Sequence, residues 1–438
     1  MSRALGVTVA PGFTRTNLIA CWFLGMTATM VITFLPTAQP YILSGVLGEP
    51  AGGQGRLVGL LSFVAELTMI LSLAWYGALA DRYGRRPIVM IGFALCALGT
   101  ALYPFAANTA VLVGLRVVFA LGTAALGGMF ATLAIDYAEE RSRGKSYGVL
   151  GVFSGLGALL AVFGLARLPQ LFEKQGWSEA SAARVSFLII AVVLLLVGLV
   201  MRRTLSPSGV SAEHVPLPRL VREGVGLARD PGVALAYAAA FVARADLAVV
   251  SSFLSLWVVN RGVAAGMSTP EALARAGMIV GIAHMMALVA SPVLGWLGDR
   301  VKRQNLVICA QAVAAASYLS TLFIDDPLGP GMLVVAAFVG IGEIAGINTS
   351  GPLLAQQAPA ERRGSAFGVQ ALCGAVGILT VSALGGWLYD TWHPVAPFLI
   401  SGSLGVLVVI FGLIVRTRIV PDPRSGRTPE GSSATHPA

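Results

Sequence analysis

Six ionisable residues interrupt runs that are otherwise apolar: Glu66, Arg116, Arg244, Asp246, His284 and Glu343. At the centre of a hydrocarbon layer such a side chain costs about 2.5–3.5 kcal/mol on insertion scales, so each should face protein or water rather than lipid. Groups of this kind support two sorts of chemistry. A carboxylate in an apolar wall takes up and releases a proton, while a guanidinium holds an anion or neutralises an acid. For Glu343 the readings are a proton carrier and a permanent ion pair with Arg244 or Arg116. For Arg116 and Arg244 they are anchorage of an anionic substrate and pairing with Glu66, Asp246 or Glu343. His284 reads as a hydrogen-bonded packing residue or a proton site, and Glu66, on an interface helix, as a structural or gating bond.

A second constellation is written twice. Gly77-Ala-Leu-Ala-Asp81-Arg82-Tyr-Gly84-Arg85-Arg86 is answered by Gly295-Trp-Leu-Gly-Asp299-Arg-Val-Lys302-Arg303, and Asp81 and Asp299 are 218 residues apart (299 less 81). Arg143-Gly-Lys-Ser-Tyr-Gly-Val149 and Arg363-Gly-Ser-Ala-Phe-Gly-Val369 repeat at 220 (363 less 143). Two echoes at one spacing make two similar halves in tandem. Each echo returns on the same side of the membrane, so the repeat is parallel, an arrangement found in secondary transporters.

The elements that position these residues follow from composition. Hydrophobic residues make up 56% of the 438, charged ones 12%, and mean hydropathy is +0.79. With the 52 glycines added and tyrosine left out, roughly two-thirds of the chain is apolar, against about 45–50% in soluble proteins. The solvent is therefore lipid, and the fold class is all-α membrane protein. Apolar runs place spans at 17–38, 57–80, 87–106, 109–134, 146–167 and 184–203. The second half has 232–259, 272–297, 305–324, 331–355, 365–388 and 395–416. Gly148, Gly151, Gly155, Gly157, Gly374 and Gly377 read as close-packing seams between helices.

Of the 30 Lys and Arg residues, 22 fall on the side of the termini, 6 on the other and two inside the membrane. That asymmetry places both termini in the cytoplasm, and the localisation is the cell inner membrane. It also accounts for the net charge of +9 without nucleic acid, since the basic residues are spread over topology loops. The four cysteines and four histidines have no metal or disulfide spacing, and no nucleophile elbow or phosphate loop appears. Enzyme chemistry and a cofactor are not expected.

Helical phase refines the six candidates. Arg244 shares a stripe with Ser251 and Ser255, which turns it toward a cavity, whereas Asp246 lies about 200° further round and needs a partner on a neighbouring span. Glu343 falls near mid-bilayer on a stripe with Gly346 and Ser350, with Thr123 at the corresponding place in the first half. Arg116 sits near the non-cytoplasmic end of the fourth span, with Thr123 on its own stripe.

The domain plan is a cytoplasmic amino terminus at 1–16, a six-helix bundle at 17–203 and a cytoplasmic linker at 204–231. A second six-helix bundle follows at 232–416, then a disordered cytoplasmic tail at 417–438. The linker pairs breakers near Ser206-Pro207 with a basic, leucine-bearing stretch after Pro218 that reads as an amphipathic interfacial helix. The tail is rich in Pro, Ser, Thr and Gly.

The duplicated Gly-x-Leu-x-Asp-Arg-x-x-Arg loop, two six-span halves and a central linker resemble the major facilitator superfamily over about residues 15–418. The resemblance implies two pseudo-symmetric six-helix bundles and alternating access, with spans 1, 4, 7 and 10 lining a central cavity. It implies a monomer moving a small-molecule substrate, with protons as coupling ion. In the family pattern Gly77, Asp81, Arg82, Gly84 and Arg85 form a gating loop. Its Asp81 caps the other half near Gly364 to hold the cytoplasmic side shut, and its Arg85 pairs with Asp136. Asp299 and Arg303 take the mirrored part. The sequence departs from drug exporters where Phe119 and Ala120 follow Arg116, and where the fifth span lacks proline. The readings that stay open are secondary transport of an anionic, zwitterionic or amphipathic solute, multidrug efflux, lipid flipping, and a non-transporting receptor or assembly factor. Asp81→Asn is expected to slow turnover more than it weakens substrate binding, and normal turnover in that variant would remove the gating role.

Overall fold

The computed structural model describes residues 3–206, 217–298, 300–359 and 362–419, with backbone alone at Ala74, Ala78, Asp81, Ile135, Arg141 and 217–221. Among the described residues there are twelve helical spans, with ends up to eight residues from the sequence-based boundaries. Spans 1–6 are Arg15–Val46, Ala51–Leu73, Arg85–Phe105, Thr109–Ala134, Arg143–Glu173 and Glu179–Thr204. Spans 7–12 are Pro231–Ala264, Thr269–Gly298, Arg303–Phe323, Pro330–Gln357, Arg363–Thr391 and Ala396–Val415. The shortest, span 12, has 20 residues, about 30 Å of helix and enough to cross hydrocarbon.

Their ends follow local chemistry. Thr14 and Asn17 form a reciprocal capping box at the start of span 1, while Asn108, Ser178 and Asp230 cap spans 4, 6 and 7. Gly84, at φ 86°, allows the sharp turn between spans 2 and 3. The second copy of that turn carries Lys302 at φ −54°, so it follows a different backbone path into span 9. Three spans change winding partway: span 1 at Ile42–Val46, span 5 at Leu160–Gly164 and span 7 at Val249–Leu254, each a π-helical segment.

Within the first half, span 1 packs on 5, span 2 on 4, and span 3 on 4 and 6; within the second, span 10 packs on 7, 8 and 9, and span 9 on 12. The tandem repeat reappears in this packing. Gly157 of span 5 lies against the Met26 carbonyl of span 1, and Gly377 of span 11 lies against the Phe241 carbonyl of span 7. A side chain at either glycine would strike backbone, so small residues set the distance between helices. Gly155 and Gly374 are close-packed too, against Leu288 and Arg244. Gly148 and Gly151 depart from the expected seam, since nothing lies within 4 Å of where their Cβ atoms would be. They lie on the stripe of span 5 that reaches Leu288 of the other half at Gly155, with open space in front of them.

The halves meet at the end opposite the termini. Gly59 of span 2 sits on the Ser382 carbonyl of span 11, and Gly277 of span 8 sits on the Val162 carbonyl of span 5. Ser255 of span 7 donates to the Thr37 carbonyl of span 1 at 2.6 Å. The hydrogen bonds that Asp390, Ser255, Ser268 and Thr269 make between the halves lie at this end. At the end bearing the termini, Gly77, Gly144, Gly364 and Gly368 have open space around them, and Trp75 is 74% exposed. The molecule is closed at one end and open at the other.

Residues 217–226 of the linker are helical, and Gly224 packs on Ser365 and Val369 at the start of span 11. Residues 207–216 and the tail from 420 lie outside the described residues. The amino terminus is ordered from Arg3: a two-residue hairpin, Arg3–Ala4 with Val7–Thr8, docks on the loop after span 4. Gly59→Leu is expected to wedge the closed end apart. In purified protein a cysteine placed at Ser255 should then react with a maleimide several-fold faster than in the Gly59 background.

Candidate functional site

Arg244 is exposed in the opening between the halves, on the face of span 7 that packs against Gly374 of span 11. Glu66 of span 2, 8% exposed, lies within its electrostatic reach although the two do not touch. One acid and one base, from opposite halves, thus face the same opening. Just beyond Arg244, span 7 passes into its π-helical segment, which carries the chain to Ser255 at the closed end.

Asp246 points the other way, as its phase requires. It is fully buried inside the second half, beside the Ser401 hydroxyl of span 12 at a geometry short of a hydrogen bond. Glu343 of span 10, 4% exposed, lies within electrostatic reach of Asp246, and the Tyr318 hydroxyl of span 9 lies within reach of both. Both Asp246 oxygens and one Glu343 oxygen have no hydrogen-bond partner. The ion pair of Glu343 with Arg244 or Arg116 is not formed. Gly346, one turn on, abuts Ala243 and Gln311, so the stripe holding Glu343 faces spans 7 and 9 rather than the opening. Two acids therefore share an apolar interior, and no cationic side chain among the described residues pairs with either.

Arg116 does not reach Glu66, Asp246 or Glu343. Its Nε donates to the Leu61 carbonyl at 3.3 Å, and it lies inside the first half, 5% exposed. His284, on span 8, leaves its Nε2 buried and without a hydrogen bond. Thr123 is buried and bonds back to the Ala120 carbonyl of its own helix.

In the signature loop, Arg85 makes an ion pair with Asp136 at the end of span 4. Beside it the Tyr137 hydroxyl accepts from the Ser206 amide at 3.1 Å, and burial pushes that phenol up to about 12. The amino-terminal hairpin closes over this corner, with the Ala10 amide donating to the Tyr137 carbonyl and the Glu139 amide to the Thr8 carbonyl. Arg82 stacks over Tyr83 and is exposed. The Asp81 side chain and all of Asp299 lie outside the described residues. In the second copy, Arg303 donates to the Pro352 carbonyl at 2.9 Å, because the second half has Gln356 where the repeat would place an acid.

The closed end carries functional residues that the sequence reading missed. Asp390, at the end of span 11, accepts from the Gly55 and Arg56 amides at 2.8 and 2.7 Å and so ties span 11 to the second turn of span 2 in the other half. Across the pseudo-twofold, Glu179 accepts from the Thr269 amide at 3.2 Å and Glu173 from the Ser268 hydroxyl at 2.7 Å, both at the start of span 8. A carboxylate at a helix N-terminus is stabilised by unpaired amides and the helix dipole. The available signal was an acid at the end of an apolar run, Tyr389-Asp390, facing a span that starts with glycines.

Two six-helix halves that meet around an opening lined by charges of both signs have the architecture of membrane transporter folds. The chain belongs to the Major Facilitator Superfamily, whose model matches residues 18–327 and 236–437. Magnetosome protein MamZ of Paramagnetospirillum magneticum is 26% identical over 422 residues, covering 92% of this chain and 63% of the relative. The chain thus spans less than two-thirds of that relative's length. Multidrug resistance protein MdtG of Citrobacter koseri is 26% identical over 316 residues, covering 72% of this chain and 73% of MdtG. The solved nucleoside transporter NupG superposes with a TM-score of 0.72 at 12% identity, covering 91% of this chain and 99% of NupG, a likeness of fold.

Breaking the mostly buried Arg85–Asp136 pair from one side is expected to cost about 3–5 kcal/mol, because the remaining charge stays buried. Thermal unfolding of Asp136→Asn, Arg85→Gln and the double variant should give a strongly non-additive cycle. Additive losses would mean the two charges act separately.

Proposed function

We propose that this protein is a proton-coupled secondary transporter that moves a small organic solute across the inner membrane by alternating access, working as a monomer with both termini in the cytoplasm. The observation that carries the reading is the buried pair Asp246 and Glu343, two acids within electrostatic reach of each other with no cation beside them. Like charges in an apolar interior cannot both persist, so the pair keeps a proton and is ready to exchange it. Span 7 links this site to the opening, since Asp246 and Arg244 lie two residues apart on opposite faces. Loss or gain of the proton repacks spans 7 and 10 against spans 9 and 12, and the shift carries Arg244 toward or away from Glu66.

Arg244 and Glu66 offer the substrate one charge of each sign, which suits a zwitterionic or anionic solute with a neutral or cationic end. The open end corresponds to the cytoplasmic side under the distribution of basic residues. The Asp81 loop and the Arg85–Asp136 corner are then the parts that close it, while the Asp390 and Glu179 ties release the opposite end. Residues 17–203 and 232–416 act as the two moving bodies, joined by the linker at 204–231. A second reading, efflux of amphipathic drugs, is favoured by the similarity to MdtG, which its name describes as a multidrug resistance protein.

The deciding experiment uses proteoliposomes with an internal pH dye and a panel split between organic anions, zwitterions and lipophilic cations. A substrate-dependent pH change should appear in the wild type and fall to background in Glu343→Gln and in Asp246→Asn, with substrate binding retained. A response confined to lipophilic cations selects efflux. Substrate-driven uptake without any pH change overturns proton coupling, and silence to every solute favours a non-transporting receptor.

A further inference from the structure

The first half keeps a buried charge that the transport scheme does not use. The Arg116 guanidinium is 5% exposed, its Nη1 has no hydrogen-bond partner, and its protein acceptor is the Leu61 carbonyl. Among the described residues the one titratable group within its electrostatic reach is the Tyr103 hydroxyl. The Phe119 ring lies 5.6 Å from the guanidinium carbon and adds a cation–π contact, which attracts the charge but does not neutralise it. Glu66, further along span 2 than Leu61, is turned to Arg244. A guanidinium does not shed its proton in a protein, so Arg116 cannot relieve its burial by becoming neutral.

Buried hydroxyls without partners lie on the neighbouring spans 3 and 6, and Gly99, one turn before Tyr103, packs on the Phe119 backbone of span 4. The Tyr103 hydroxyl is fully buried and has no partner, and the Thr100 hydroxyl, three residues earlier on the same helical face, is equally buried and unpaired. The Phe187 ring of span 6 stacks parallel to Tyr103 at 6.4 Å, and the adjacent Ser186 hydroxyl is also buried without a partner. Native interiors satisfy nearly all such groups, so a buried guanidinium and a phenol within its reach, each short of a partner, call for an acceptor. Water would satisfy the hydrogen bonds and leave the charge. A hydroxyl rotates to donate, and a guanidinium donates only, so this set matches one negatively charged acceptor.

We propose that the interior of the first half binds a small inorganic monovalent anion, of which chloride is the abundant member, held by Arg116 with the hydroxyl of Tyr103. The enclosure selects the ligand class: Tyr103, Thr100 and Ser186 are fully buried and Phe119 is 3% exposed, which leaves no opening for an organic substrate. The anion acts as a resident counter-charge for spans 3, 4 and 6, apart from the solute site between the halves.

The test is thermal unfolding of the purified full chain in sodium chloride against sodium gluconate at constant ionic strength. Chloride should raise the unfolding midpoint along a saturating curve, and equilibrium dialysis with radioactive chloride should count one ion per chain. Arg116→Met should lose both signals. If Arg116→Met does not fold, Tyr103→Phe carries the test, with a half-saturating chloride concentration raised by roughly tenfold, the weight of one hydrogen bond to a charged group. Equal midpoints in the two salts overturn the site, as does a shift that never saturates or that persists unchanged in both variants. None of these readouts depends on proton coupling, so the anion site and the transport scheme fail separately.

Discussion

A charge inside hydrocarbon can be answered only by protein or by something the protein holds, and the interior of this molecule is arranged around that constraint. The solution differs between the halves. In the second, Asp246 and Glu343 are set side by side with a phenol and a hydroxyl around them, so the site can be made neutral by a proton. In the first, Arg116 is permanently cationic, with a phenol rather than an acid within its reach, so the site can be made neutral only by an anion. Between them Arg244 and Glu66 face a shared opening from opposite halves. One fold, duplicated, thus holds a labile charge in one copy and a fixed one in the other.

The duplication is more faithful in backbone contacts than in side-chain chemistry. Gly59 and Gly277 sit on carbonyls of the opposite half, and Gly157 and Gly377 sit on carbonyls within their own. These pairs repeat at 218 and 220 residues (277 less 59, 377 less 157), the spacings of the two sequence echoes. Close approach of backbones needs glycine and nothing else, which leaves little room for drift. Charged positions carry no such steric requirement and have diverged: Arg85 meets Asp136, whereas Arg303 meets only a backbone carbonyl.

Most of the fold was legible because lipid imposes its own periodicity. Runs of apolar residues, duplicated turns and the count of basic side chains define twelve spans and two halves without any contact being known. The site was legible in part. Phase along one helix correctly turned Arg244 and Asp246 to different faces, since 3.6 residues per turn is a local property. Phase could not say which neighbour each face meets, and so an ion pair of Glu343 with a guanidinium stayed open beside the proton carrier, although its stripe faces spans 7 and 9. Gly148 and Gly151 were read as packed for the same reason, although open space lies in front of both. The ties at Asp390 and Glu179 depend on the relative placement of two halves more than 80 residues apart, which no local pattern encodes.

The three π-helical segments fall in spans 1, 5 and 7, all of which help to form the closed end. A π turn carries an extra residue in its loop of hydrogen bonds, and its carbonyls are less tightly held than those of an α-helix. The backbone is therefore most compliant where the two halves press together and stiffer elsewhere along the same helices. Under the proposed alternating access, deformation on opening would concentrate in those few turns and leave the rest of each helix to move as a rod. Span 7 shows the consequence plainly: its soft turn lies between Asp246 and Ser255, so the buried acid can keep its surroundings while the tip of the helix swings.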